Sequence, residues 1–84
     1  MTRIILQSES EKLKKFNENL KWFQAHYEEL TDHYGGEYVA IHNNQPVDHD
    51  RDVYTLMKRL KREYGDLSPI VIERVRAQYT SYAI

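Results

Sequence analysis

The sequence predicts an α+β domain in which two helices pack on a small, mostly antiparallel three-stranded sheet, in the order αββαβ. Three observations predict it. Leu13, Phe16, Leu20, Phe23, Tyr27, Leu30 and Tyr34 recur at alternating spacings of three and four, the period of one helix face. The run from Glu37 to His42 alternates as a strand, and Asn43-Asn44 can supply the two positive φ values of a tight hairpin turn. After the break at Ser68-Pro69, Ile70-Val71-Ile72-Glu73-Arg74-Val75-Arg76 reads as a third strand, apolar first and then alternating.

Each element has its own signals. Residues 1–7 are weakly determined, open between a frayed end and a short edge strand. Helix one is expected over 8–34, with Ser8 and Glu11 spaced as a capping box, Ser10 as a second cap, and Gly35 as its left-handed stop. At 1.5 Å per residue a helix of roughly 24 residues is about 36 Å long, whereas typical strands span ~17–20 Å. Its N-terminal half therefore runs beyond the sheet or packs on another subunit. The hairpin is expected over 37–50, with Tyr38 and Ala40 on one face and Val39 and Ile41 on the other. Pro46 lacks a backbone donor, which puts strand two at an edge and favours the strand order 2-1-3. Helix two is expected over 51–64, capped by Asp50, with Val53, Leu56, Met57, Leu60 and Tyr64 facing the core and Gly65 ending it. The third strand is expected over 70–77, and the tail from Gln78 to Ile84 either extends it or stays loose.

Eighty-four residues with 12 basic and 13 acidic side chains make one small domain of net charge −1. That balance removes the simplest argument for a nucleic-acid protein, a strongly basic domain. The chain has no cysteine, so disulfides and thiolate zinc sites are excluded. Ile4-Ile5-Leu6 is too short an apolar run for a signal-peptide core or a membrane span, and a cytoplasmic protein is expected.

The polar residues argue against most chemistry. His26 and His33 share a helix face but stand about 10 Å apart along its axis, too far to hold one metal. His42 is expected opposite Gln45, and His49 opposite Tyr38, so those two do not meet either. Asp48, Asp50 and Asp52 alternate like the start of a calcium loop, but Val53 and Arg59 stand where its glycine and glutamate belong. Glu28, Glu29 and Asp32 read as a solvated helix face. No serine sits in a nucleophile elbow and no glycine-rich loop is built to cradle phosphate. The expectation is a protein that is not an enzyme and holds no cofactor or metal.

The stretch from about residue 22 to 76 resembles the family known as domain of unknown function 5678. The resemblance rests on Tyr34-Gly35-Gly36-Glu37-Tyr38-Val39-Ala40-Ile41, on Asp50-Arg51-Asp52, on Leu56-Met57-Lys58-Arg59-Leu60 and on Pro69-Ile70-Val71-Ile72. Asn44 and Asp50 stand where the family often has glycine, and the helical extension over 8–21 is longer than the family's. The resemblance implies the fold and, loosely, a cytosolic accessory or partner protein. It brings no activity and no catalytic residues.

The functional expectation is a small interaction or adaptor domain that forms a homodimer through the seam of helix one, at Leu13, Phe16, Leu20, Trp22 and Phe23. Tyr38, Tyr79 and Tyr82, with an exposed sheet edge, are the candidate surface for an unidentified protein partner by strand addition. The alternative is a nucleic-acid-binding module using Lys58, Arg59, Lys61 and Arg62 on helix two, extended by Arg74 and Arg76 of strand three if they face the same way. No membrane partner is expected.

Overall fold

Lys and Glu are the commonest residues of the first helix of the chain, and neither proline nor glycine interrupts it. The structure, a computed structural model, describes residues 7–77. Its elements are α1 (Gln7–Ala25), α2 (Tyr27–Tyr34), β1 (Tyr38–Ile41), β2 (Pro46–Asp50), α3 (Val53–Tyr64) and β3 (Val71–Arg74). The expectations for the first six residues and for the tail from Gln78 lie outside the described residues.

The predicted first helix is two helices. At His26 the backbone turns to φ −112°, ψ 19°. The His26 imidazole Nδ1 donates to the Trp22 carbonyl at 2.9 Å, which also accepts the His26 N–H at 3.0 Å, and the two rings stack 4.1 Å apart. The Leu30 N–H still reaches the His26 carbonyl at 3.0 Å, so the chain bends at one residue instead of opening into a loop. Ser8 and Ser10 lie inside α1 and are not its cap.

Gly36, not Gly35, takes the positive φ after α2. Gly35 sits at φ −54°, ψ 128° and Gly36 at φ 87°, while the Glu37 N–H donates to the Tyr34 carbonyl at 2.9 Å. That is a type II turn, which requires φ above zero at its third residue. The Gly36 N–H is thereby freed for the Val75 carbonyl at 2.8 Å, and the Val75 N–H answers to the Glu37 carbonyl at 2.8 Å. The chain thus enters the sheet already paired with β3.

The sheet has the order β2-β1-β3, antiparallel throughout, with Pro46 on an edge strand as its missing donor demands. Asn43 and Asn44 take φ 55° and 60°, the positive pair expected of the hairpin turn, and the His42 N–H donates to the Gln45 carbonyl. The register then shifts between Ala40 and Ile41: Ile41 pairs Pro46, but Ala40 pairs Asp48, so Val47 is an extra residue. His49 consequently faces Val39, not Tyr38.

Each face of the sheet carries its own core. Val39, Ile41, Val71 and Val75 pack with Phe23 and Leu30 under α1 and α2, flanked by Phe16, Leu20, Trp22, Tyr27 and Tyr34. Ala40 and Ile70 pack with Leu56 and Leu60 of α3, flanked by Tyr38, Val47, Tyr64, Leu67 and Ile72. Burial of a leucine such as Leu56 or Leu60 contributes roughly 1.5–3 kcal/mol. The N-cap of α3 is Asp52, which accepts the Thr55 N–H at 3.3 Å; Asp50, expected in that role, remains in β2. Gly65 closes α3 at φ 77°, a turn tight enough for the Asp66 N–H to reach the Tyr64 carbonyl at 2.8 Å.

One buried polar side chain joins the layers. Asn19 of α1 is 2% exposed. Its Nδ2 donates to the Pro69 carbonyl at 2.7 Å, and its Oδ1 accepts the Asn44 N–H at 2.9 Å. It therefore fastens α1 both to the hairpin turn and to the loop before β3. Removing it leaves a donor and an acceptor without their partner. Asn19→Ala is expected to lower unfolding stability by about 2–3 kcal/mol in urea titrations. Asn19→Asp keeps the acceptor for Asn44 but sets a carboxylate against the Pro69 carbonyl, and is expected to be at least as damaging.

Candidate interaction surfaces

α1 is about 28 Å long and the four-residue β1 about 13 Å, so the helix overhangs the sheet. The side chains from Ser10 to Lys15 are all exposed. Among the described residues, an ion pair from Lys12 to Asp66 at 2.8 Å ties the overhang down. Lys12, with the Oγ and N–H of Ser68, holds the Asp66 carboxyl well below the ordinary carboxylate range. Leu13 is 62% exposed, and with Phe16, Lys12 and Ser68 it lines an open groove of about 380 Å³.

The expected seam is thus divided. Leu13 remains outside, while Phe16, Leu20 and Trp22 are half-buried against the core beneath α1. Phe23, expected at the subunit contact, is 6% exposed and belongs to the domain's own core, because its face of the helix meets Val39 and Val71. Tyr38 is half-buried on the central strand, on the face that α3 covers; it is not at an edge. Tyr79 and Tyr82 lie outside the described residues.

The basic face of α3 is also divided. Lys58, Lys61 and Arg62 are exposed. Arg59 reaches back to β2. Its Nε and Nη2 donate to both oxygens of Asp48 at 3.0 Å each, its Nη1 donates to Asp50 at 2.9 Å, and Nη2 also meets the His49 carbonyl at 2.9 Å. The bulge makes this clamp available. Asp48 and Asp50 pair Ala40 and Tyr38, whose face of the sheet is covered by α3; without the extra Val47 they would point to the opposite face. Asp48 is held below its ordinary value of 3.8 chiefly by Arg59, and Asp50 chiefly by the Asp52 N–H and then by Arg59.

Beside Arg59's clamp, Tyr54 is 76% exposed and Met57 41% exposed one turn further along α3. With Lys58, Lys61 and Leu67 they line an open, largely apolar groove of about 330 Å³. Sequence reasoning assigned Met57 to the core; the helix rotates it outward so that Leu56 and Leu60 are the residues fully buried.

The histidines do not converge. His42 stacks edge-on against Tyr64 at 5.0 Å, whereas His49 Nδ1 donates to Glu37 at 2.6 Å with its ring 4.7 Å from Tyr34. Among the described residues no three His, Cys, Asp or Glu side chains are grouped to hold a metal ion, and no helix is long and apolar enough to cross a membrane.

A three-stranded antiparallel sheet between two helical layers, with the uncovered side chains concentrated on the helices, defines an α+β domain. The chain belongs to the family of unknown function DUF5678, whose profile matches residues 29–75, more than half of its 84 residues. The matched stretch opens within α2 and closes just after β3, so α1 and Asn19 lie outside it. No curated protein and no solved structure matches the chain.

The Arg59 clamp has a pH signature. Carboxylates whose pKa is lowered by folding stabilise the fold above their unfolded value and lose that contribution as pH falls from there through the lowered folded value. Wild-type stability is therefore expected to fall as pH drops below about 4. Arg59→Met is expected to be less stable at neutral pH and to decline less steeply below that point. Urea midpoints measured across pH for both chains check this; parallel declines would exclude the clamp as a contributor.

Proposed function

We propose that this protein is a small non-catalytic interaction module that self-associates through the overhanging half of α1. The observation that supports the reading is Leu13, left 62% exposed at the head of a seam whose remaining members are used on the sheet. A lone exposed leucine needs no explanation, but this one borders a groove with Phe16 on a helix turn that has little of its own domain beneath it. A helical stretch of that length is marginal by itself and gains from an apolar neighbour. In a two-fold arrangement the same patch serves both copies, so Leu13 of each chain enters the groove of the other. Charges of both signs flank it, at Glu11, Lys14, Glu18 and Lys21.

The alternative, nucleic-acid binding on α3, is less well supported. Arg59 is committed to Asp48 and Asp50, which leaves Lys58, Lys61 and Arg62 on a chain of net charge −1.

Leu13→Glu places a charge at the centre of the contact while leaving every core residue in place. Light scattering is expected to show a dimer for the wild type and a monomer for the variant, with the monomer's secondary structure unchanged. A wild type that is monomeric at high micromolar concentration, or a variant that stays dimeric, would overturn the reading.

A further inference from the structure

We propose that the outer face of α3 is a docking surface for an acidic peptide segment that carries an apolar anchor. Of the three large apolar side chains most exposed among the described residues, two, Tyr54 and Met57, stand one turn apart on this face. They share a groove of about 330 Å³ with Leu67, whose own side chain packs down onto the α3 core. Tyrosine and methionine are the residue types that protein interfaces favour: each offers a large contact area and adapts to its partner. The groove is wide enough for one or two apolar side chains.

Charge selects the occupant. Lys58 and Lys61 line the same groove, one turn apart, and Arg62 follows on the exposed side of the helix. Among the described residues no carboxylate lines the groove with them. Most of the nearby carboxylates are already engaged, and Glu63, exposed on the last turn of α3, does not line this groove. Asp48 and Asp50 hold Arg59, Asp52 caps α3, and Asp66 holds Lys12. An apolar floor with a lysine rim fits a segment in which leucine, methionine or phenylalanine lies between aspartates and glutamates. The apolar residue supplies the affinity, and the carboxylates set the register and speed the encounter. A nucleic-acid strand fits this face less well. Its stacking platform is a single tyrosine beside methionine and leucine, and Arg59 is turned away to β2. The surface is separate from the Leu13 groove, so each proposal stands or falls without the other.

Isotope-labelled protein titrated with a pool of short peptides, each with leucine, methionine or phenylalanine flanked by aspartates and glutamates, tests the proposal by amide chemical shifts. The acidic pool is expected to shift the amides of Tyr54, Met57, Lys58, Lys61 and Leu67 saturably, and the same apolar residues flanked by lysines are not. The double variant Lys58→Glu, Lys61→Glu alters exposed positions only. It is expected to lose affinity for the acidic pool by about tenfold or more and to accept the lysine-flanked pool instead. Absence of saturable shifts at these amides, equal shifts with both pools, or tighter occupation of the same residues by a single-stranded oligonucleotide would each overturn it.

Discussion

The amide of Asn19 joins three parts of the chain that the sequence keeps far apart. It sits on α1, bonds the Asn44 N–H in the hairpin turn, and bonds the Pro69 carbonyl ahead of β3. An asparagine is one of the few side chains that can do this, because it presents a donor and an acceptor side by side. Buried at 2% exposure, it has no water to fall back on, so its two bonds fix where α1 crosses the sheet. C-terminal to it along α1, Leu20, Trp22 and Phe23 pack on the core of Val39, Ile41 and Val71; N-terminal to it Phe16 still reaches that core, and Ser10 to Lys15 are exposed. The position of that one residue decides how much of the apolar seam the domain uses and how much it leaves exposed.

A second constraint operates on the opposite face. The extra Val47 turns Asp48 and Asp50 toward α3, where Arg59 bridges both, and Val47 itself joins the core beneath that helix. The clamp ties the edge strand β2 to α3 and occupies two carboxylates that would otherwise stand on a free sheet edge. Edge strands are blunted in this way by proline, bulges and charge, and β2 carries all three. It also takes Arg59 out of the basic face, so that what remains on the outside of α3 is apolar in the middle and lysine-rich at the rim.

Much of this was legible in the residues. The heptad spacing located the helical segment, the alternation from Glu37 and the Asn43-Asn44 turn located the hairpin, and Pro46 placed β2 at an edge and so gave the strand order. What was not legible depends on contacts distant in sequence or on a local contest between bonds. The break at His26 arises from an imidazole that bonds a helix carbonyl, and propensity does not register that. The type II turn moved the positive φ from Gly35 to Gly36, which no rule about helix ends distinguishes when two glycines are adjacent. The bulge at Val47 has no glycine to mark it, and it reversed the faces of Asp48 and Asp50, hence the roles of Asp50 and Arg59. Nothing in the spacing of the apolar residues marks Asn19 as a core position; the partners that make it one are 25 and 50 residues away.

The Asn44 amide gives the most direct view of the central claim. It belongs to an exposed two-residue turn, where amides ordinarily exchange with solvent in a locally opened state. If Asn19 holds it, hydrogen exchange measured residue by residue will show the Asn44 N–H protected to the level of the β1 amides, so that it exchanges only when the domain opens globally. Rapid exchange of Asn44 alongside a protected β1 would contradict the account, since α1 would then be anchored by apolar packing alone.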